Sequence, residues 1–241
     1  YSEQFDNAKW SKFYSSVTAD QTTAPDGTNT ADLLVESTAN NYHVCSYGAT
    51  ASATTTLKFS VAAKAFTRTS IVLQLASNND NDRYAALFDL SAGTVVTTNT
   101  TGTPVGGSNS ITSLGNGWYR CVVNLTCTTT FNPAVAVSNS NSPTWILSVP
   151  TYAGDGTSGV YIWGADLRPT NDGVGLPVYQ RIADANTYDA VGFPYYVRFD
   201  GVDDSLNTAS FSCASSNKAT AWLAQRLLVS GVYPYPFSFN Y

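Results

Sequence analysis

TTTLKFSVAAKA, residues 54–65, is the stretch that decides the fold class of this chain. Apolar side chains occupy every second position of its central part, at Leu57, Phe59, Val61 and Ala63. Polar side chains alternate with them, at Lys58, Ser60 and Lys64. A period of two residues is typical of a β-strand with one buried face, because successive side chains of a strand point to opposite sides of the sheet. The stretch therefore predicts a half-buried strand.

Segments of the same kind recur from about Val44 to Leu167, separated by turn-forming Asn, Asp, Gly and Ser residues. The segment GNGWYRCVVNLTC (115–127) opens on an Asn-Gly turn signal and then again places apolar side chains at alternate positions. No helical stripe interrupts the series. We therefore predict an all-β protein, an antiparallel double-sheet sandwich of the jelly-roll type rather than of immunoglobulin order, followed by an extended C-terminal segment.

Composition excludes several classes of function. The chain has 241 residues, of which 43% are hydrophobic, so it can build a core and is not expected to be disordered. Its formal net charge of −5 and the absence of a basic patch disfavour nucleic-acid binding. No apolar run reaches the roughly 20 residues that span a bilayer, so no membrane insertion is expected.

The residues needed for nucleophilic or metal-dependent catalysis are scarce. His43 is the only histidine and lies two positions from Cys45, but no oxyanion-loop pattern accompanies this pair. No two acidic residues are spaced as facing catalytic carboxylates. The four cysteines, Cys45, Cys121, Cys127 and Cys213, do not have metal-ligand spacing, and they are interpreted as packed thiols or as members of a disulfide between distant strands. The sequence predicts that the chain is not an enzyme.

Aromatic side chains are the feature that suits sugar binding, because their rings stack on the apolar faces of pyranoses. Trp118 and Trp163 lie in predicted strands, where packing explains them. The predicted glycan contacts are Tyr84, Tyr152, Tyr42 and Trp145.

The chain changes character after its first 169 residues. Residues 168–194 contain three prolines and several Gly and Asp residues, which indicates an extended connector over residues 170–194. Residues 195–241 begin YYVRFDGVDDSLNTASF, a pattern of alternating aromatics and an Asp-Gly turn. This segment is too short to bury a core of its own. We expect it to be the start of a second sandwich that is incomplete or docked on a neighbouring subunit.

Four segments together resemble a known family. They are SEQFDNAKW (2–10), APDGTNTADLLVEST (24–38), SLGNGWYRC (113–121) and YAGDGTSGVYIWGADL (152–167). Their order and spacing over residues 1–169 resemble the carbohydrate-binding-module-like jelly roll of bacteriophage head-fibre, head-spike and tail-fibre proteins. The later segment VRFDGVDDSLNTASF (197–211) is similar to the start of a laminin-G or concanavalin-A-like sandwich.

The resemblance implies a virion structural protein on a head fibre, a capsid decoration or a tail appendage. Its partners would be other virion subunits, with homo-oligomers and weak adhesion to host cell-surface glycans, and its location would be the virion surface. The family often carries a structural calcium, which by resemblance would lie between Asp6 and Asp166. The alternative is a carbohydrate-binding module of a secreted bacterial polysaccharide-degrading enzyme.

Overall fold

The alternating segments form strands throughout the part of the chain that the computed structural model describes, residues 1–50, 54–77, 79–128, 130–170, 179 and 181. No helix occurs among these residues, and hence none that could cross a membrane. The strands are β1 (Ser11–Phe13), β2 (Ser15–Thr22), β3 (Ala31–Glu36), β4 (Asn40–Tyr42), β5 (Val44–Ser46), β6 (Ala49–Thr50), β7 (Thr55–Ala65), β8 (Ser70–Ser77), β9 (Asp82–Asp89), β10 (Thr94–Thr101), β11 (Val105–Gly115), β12 (Trp118–Cys127), β13 (Thr130–Ser138), β14 (Thr144–Ile146), β15 (Val149–Ala153) and β16 (Gly159–Pro169).

These strands form two large sheets and one small one, and all neighbouring strands are antiparallel. The first sheet has the order β1-β5-β13-β8-β9-β10, with β6 also paired to β13. The second sheet has the order β11-β12-β7-β16-β3-β2. The third sheet consists of β14, β15 and β4.

The connections between the two large sheets follow the order of a jelly roll. The chain passes from β3 in the second sheet to β5 in the first, then to β7 in the second and β8 in the first. The middle of the second sheet is β3-β16-β7-β12, and that of the first is β5-β13-β8-β9. Two such four-stranded orders are the arrangement of an eight-stranded jelly roll. The predicted fold class, an all-β antiparallel double-sheet sandwich, is confirmed.

The main core lies between the two large sheets. The four apolar positions predicted from residues 54–65 all face it and are at most 5% exposed. They meet alternate side chains of β8, such as Ile71, Leu73 and Leu75, which are completely buried. Each such side chain contributes about 1.5–3 kcal/mol by leaving water. The apolar side chains of the period-two pattern therefore form part of the core of the jelly roll.

Both large sheets are also covered on their outer faces, which the alternating pattern does not predict. On the second sheet, Ala62 packs with Trp118 and Trp163, and the neighbouring Ser60 is only 2% exposed. On the first sheet, Val72 packs with Val149 of β15 in a second buried cluster. The third sheet contributes to that cluster, because Tyr42 and Trp145 pack against it.

Three residues of the predicted connector are described, Thr170, Tyr179 and Arg181, and the main-chain N–H of Thr170 donates to the main-chain oxygen of Thr56 in β7 at 2.9 Å. The ring of Tyr179 stacks on Trp163 with 4.6 Å between centroids, and its hydroxyl donates to Glu3 at 2.8 Å. Arg181 donates through two nitrogens to both carboxylate oxygens of Glu3. The remaining residues of the connector and the predicted second sandwich (195–241), including Cys213, lie outside the described residues.

Candidate functional site

Two of the four predicted glycan contacts, Tyr84 and Tyr152, are buried, each with 8% of its surface exposed. Tyr84 lies in β9 and belongs to the main core, and its hydroxyl accepts a hydrogen bond from Asn109 at 2.7 Å. Gly107 of β11 lies so close to the Tyr84 ring that a Cβ there would collide with it. Both rings are packed inside the protein, and their contact with a glycan stays a prediction.

Tyr152 belongs to a buried ionic cluster around Glu36. The Glu36 carboxylate, in a residue 1% exposed, accepts the Tyr152 hydroxyl at 2.7 Å and the main-chain N–H of Asp155 at 2.9 Å. Arg68 donates to both of its oxygens, at 2.5 and 3.0 Å. Burial by itself would raise the pKa of Glu36, but the hydrogen bonds from Arg68, Tyr152 and Asp155 outweigh burial and hold that pKa below its usual value. The cluster joins β3, β15 and two loops.

His43 lies next to this cluster and is completely buried. Its ring packs against that of Tyr152 at a tilt of 58°, with 4.6 Å between centroids. Its Nδ1 lies 2.6 Å from the main-chain oxygen of Tyr14, and its Nε2 lies 3.3 Å from that of Tyr152. Both ring nitrogens therefore face backbone carbonyls.

The cysteines in the described part of the chain are packed thiols. Cys45, Cys121 and Cys127 are free and buried in the main core. Burial raises the pKa of the Cys45 thiol to about 12, so this side chain is not ionised at neutral pH. Packed thiols and a disulfide were the two interpretations of these residues, and the structure agrees with packed thiols. His43 and Cys45 do not form an activated nucleophile, because the thiol is not ionised.

The third predicted contact, Tyr42, belongs to a group of surface aromatics. Its half-buried ring meets Tyr14 edge-on, with 5.5 Å between centroids, and Phe13 edge-on at 6.4 Å. Phe13 is 45% exposed and Tyr14 is 47% exposed. We call Phe13, Tyr14 and Tyr42 the aromatic surface. Together they form an exposed apolar patch, and large patches of this kind mark interaction sites.

The backbone under the aromatic surface is strained and firmly held. Tyr14 has φ +49°, in the left-handed region that a tyrosine rarely adopts. Its main-chain oxygen lies 2.9 Å from the Ser37 N–H and 2.6 Å from His43 Nδ1. Such conformations persist only where the surroundings impose them, and they cluster at functional sites. The buried histidine thus fixes the position of an exposed tyrosine.

Amide side chains accompany the aromatic surface along β4. Asn40 is exposed, and the side-chain oxygen of Asn41 accepts the main-chain N–H of Tyr42 at 2.9 Å. Aromatic rings beside amide groups are the combination that binds sugars, because rings cover apolar ring faces and amides exchange hydrogen bonds with hydroxyls. The aromatic surface therefore has the chemistry of a shallow glycan site.

Trp145 lies half-buried on the same outer cluster as Tyr42, but in β14. The hairpin that follows it has Leu147 at φ +52° and Ser148 at φ +60° as its two central residues, a type I′ turn. Ile146 and Leu147 are 45% and 51% exposed. The structure thus brings Tyr42 and Trp145 onto one apolar cluster, and it adds Phe13 and Tyr14, which the sequence analysis missed. The adjacent aromatics in KFY (12–14) were the available signal.

Of the two predicted calcium ligands, the carboxylate of Asp166 has another partner. Asp166 is 6% exposed, and one carboxylate oxygen lies 2.6 Å from the Arg168 guanidinium, which disfavours a cation on that carboxylate. The main-chain oxygen of Asp6 accepts a hydrogen bond from Lys12 at 2.8 Å. Among the described residues no group of three or more metal-binding side chains was found. The calcium stays a prediction.

No model of a protein family matches the chain, and no curated protein matches it.

Proposed function

We propose that this chain is a bacteriophage virion structural protein, part of a head fibre, a capsid decoration or a tail appendage. It acts through contacts with neighbouring subunits and through weak binding of glycans on the host surface, and it carries out no catalysis. The aromatic surface is the observation that supports a binding role. The resemblance of residues 1–169 to phage fibre modules supports the virion role.

The affinity of a single aromatic surface should be low. It offers two exposed rings and one half-buried ring, and each aromatic contact contributes about 0.5–1.5 kcal/mol beyond simple burial. A fibre or a decorated capsid carries many copies, and multivalent attachment can raise overall affinity by about 10²–10⁴. Weak single sites on a repeated surface protein are therefore consistent with adhesion.

Mutation of the aromatic surface tests the glycan part of the proposal. Binding of the full chain is measured on an array of bacterial-surface oligosaccharides, with Phe13→Ala and Tyr42→Ala as variants. We expect each to weaken binding roughly three- to tenfold, as the loss of one ring contact implies. Phe66→Ala is the matched control, because Phe66 is 46% exposed and lies in another group with Tyr161.

The result that contradicts the glycan role is an array without binding, or binding that Phe66→Ala reduces as much as Phe13→Ala does. The virion role needs its own test. Antibodies against the chain should label purified particles from the source culture, and cryo-electron microscopy should place density for the jelly roll on a capsid or a tail.

The alternative, a carbohydrate-binding module of a secreted bacterial polysaccharide-degrading enzyme, uses the same aromatic surface. It predicts saturable binding to a polysaccharide and a protein that is absent from particles. A chain that is found free in the medium, joined to a catalytic domain, would replace the virion proposal by this one.

A further inference from the structure

One long stretch of the chain has no charge at all. Residues 91–119 contain no Lys, Arg, Asp, Glu or His, although 12% of the whole chain is charged. The stretch is rich in Thr, Ser, Asn and Gly instead. In the structure it forms β10 and β11 and the connection between them.

These two strands are the last strands of the two large sheets, on the same side of the sandwich. Among the described strands β10 pairs with β9 alone, and β11 pairs with β12 alone. β11 lies against β9, because Asn109 donates to the Tyr84 hydroxyl and Gly107 packs on the Tyr84 ring. Two sheet edges that no other described strand pairs with therefore run side by side, and we call them the double edge.

The double edge lacks the usual protection of a free strand. Proteins protect edges with charged side chains, proline, short strands or bulges, since an open row of N–H and C=O groups can pair with another chain. On the double edge, register shifts occur only toward the strand ends, leaving regular pairing over Thr97–Thr101 and Ser108–Ser113. No proline or charge interrupts either run.

The opposite side of the sandwich is protected. There the first sheet ends in β1, which has three residues and includes Lys12. The second sheet ends in β2, where Asp20 has φ +57° and the register shifts between Thr18 and Thr22. A short charged strand and an irregular charged strand both discourage pairing. The two sides therefore differ in the charges that they carry and in the short length of β1, whereas register shifts occur on both sides.

We propose that the double edge is the surface on which a second copy of this chain binds, edge to edge, in a two-fold dimer. A chain with a net charge of −5 repels its own copies, and the double edge is where two copies meet without bringing like charges together. In a two-fold contact the same strands of both copies face each other, so both contacting surfaces are uncharged.

Exposed aliphatic side chains on the double edge favour the same partner. Val96 is 38% exposed, Val105 is 66% exposed and Leu114 is 38% exposed. They belong to the uncharged stretch, and contact between two copies would remove them from water together with the backbone edges. This inference goes beyond the proposed function, because it depends neither on a glycan nor on a particle.

Charged substitutions on the double edge test the inference. Thr98 of β10 and Ser110 of β11 are exposed, so the double variant Thr98→Lys/Ser110→Lys should fold. Sedimentation of the full wild-type chain, at concentrations up to about 100 μM, should show a dimer. The double variant should dissociate at least about tenfold more readily, because lysines approach lysines across a two-fold contact.

Ser142→Lys is the matched control, since it adds a lysine to an exposed loop position outside the double edge and should leave the dimer unchanged. Hydrogen exchange gives a second measurement: amides of residues 97–101 should become more protected as the concentration rises. A wild-type chain that remains monomeric, or an association that the two lysines do not weaken, would overturn the inference. Neither outcome bears on glycan binding by the aromatic surface.

Discussion

The Nδ1 atom of His43, a side chain with no exposed surface, lies 2.6 Å from the main-chain oxygen of Tyr14, whose own side chain is 47% exposed. This contact links the aromatic surface to the buried ionic cluster of Glu36, because the ring of Tyr152 packs against His43 and its hydroxyl donates to Glu36. Tyr14 keeps a left-handed backbone conformation because the groups around its carbonyl hold it there. The buried side chain of His43 therefore helps to fix the position of Tyr14 on the surface.

The first prediction concerns this contact. His43→Ala removes a fully buried ring and its hydrogen bond to Tyr14, so we expect the free energy of unfolding to fall by about 2–4 kcal/mol. The Ser37 amide, which donates to the same oxygen, should exchange faster with solvent. Urea denaturation and amide exchange measure the two effects. His43→Asn keeps a donor near Nδ1 and should retain more of the Ser37 protection; equal exchange in both variants would contradict the role of the contact.

The second prediction compares two buried tyrosines of equal exposure. Tyr152→Phe removes a hydrogen bond to the ionised Glu36 carboxylate, which should lower the free energy of unfolding by about 1.5–3 kcal/mol. Tyr84→Phe removes a neutral hydrogen bond with Asn109 and should cost about 1 kcal/mol. Chemical denaturation of both variants measures the difference. A larger loss for Tyr84→Phe would show that Glu36 is not ionised in the folded protein.

The third prediction is a pH dependence set by Asp32. This carboxylate is 1% exposed and accepts main-chain N–H groups of Phe5 and Asp20 at 2.8 and 3.1 Å. Burial raises its pKa from 3.8 to about 6, with a smaller contribution from the charge of Asp6. A group whose pKa is raised on folding binds its proton more tightly in the folded state. The stabilisation of the folded state by protonation of Asp32 is therefore complete below pH 3.8, and it is lost as the pH rises through about 6.

Unfolding free energy should consequently increase as the pH falls from about 7 to about 5, by about 1.4 kcal/mol from this group. Urea titrations at several pH values measure it. Asp32→Asn is the control, because it removes the titration and should flatten the curve in that interval. At lower pH the direction reverses, since Glu36, with its lowered pKa, loses its stabilising charge as it is protonated. A wild-type curve that falls steadily from pH 7 to pH 5 would contradict this account.

The sequence predicted the fold well because the decisive signal is local. Alternation at Leu57 and Phe59 reports the face of a strand, and every strand of a sandwich must show one buried face. The same pattern predicted an exposed Ser60, but Ser60 is buried. The alternating pattern contains no information on what covers the outer face of a sheet. Trp163 covers the outer face of the second sheet, and it does so through the long-range order of the strands.

The candidate site was harder to predict because exposure of an aromatic side chain depends on strand direction and backbone geometry. Tyr84 follows a polar turn, yet it is inside β9 and faces the core. Tyr14 is exposed because its backbone is left-handed, which no propensity of tyrosine indicates. The raised pKa of Asp32 likewise depends on its burial in the folded protein, which the residues next to it in sequence do not indicate.

The fourth prediction concerns the turn between β14 and β15. Leu147 is 51% exposed, so replacing its side chain removes little buried apolar surface. Its φ of +52° is an unfavourable backbone conformation for a leucine. Asn adopts this conformation more readily than Leu, and the first position of a type I′ turn favours it. Leu147→Asn should therefore raise the free energy of unfolding by about 0.5–1 kcal/mol. The main-chain oxygen of residue 147 would still accept the hydrogen bond from Gln74.

Ile146→Asn separates turn geometry from the loss of an exposed apolar side chain. Ile146 is 45% exposed, close to Leu147, but it lies in β14 and has no positive φ. There Asn is a poorer strand former than Ile, so this control should be neutral or destabilising. Thermal and chemical denaturation of the two variants measure the comparison. If Leu147→Asn destabilises the chain as Ile146→Asn does, the exposed leucine makes a contact that outweighs its backbone strain, and the hairpin tip would then be stabilised by its apolar side chains rather than by its turn.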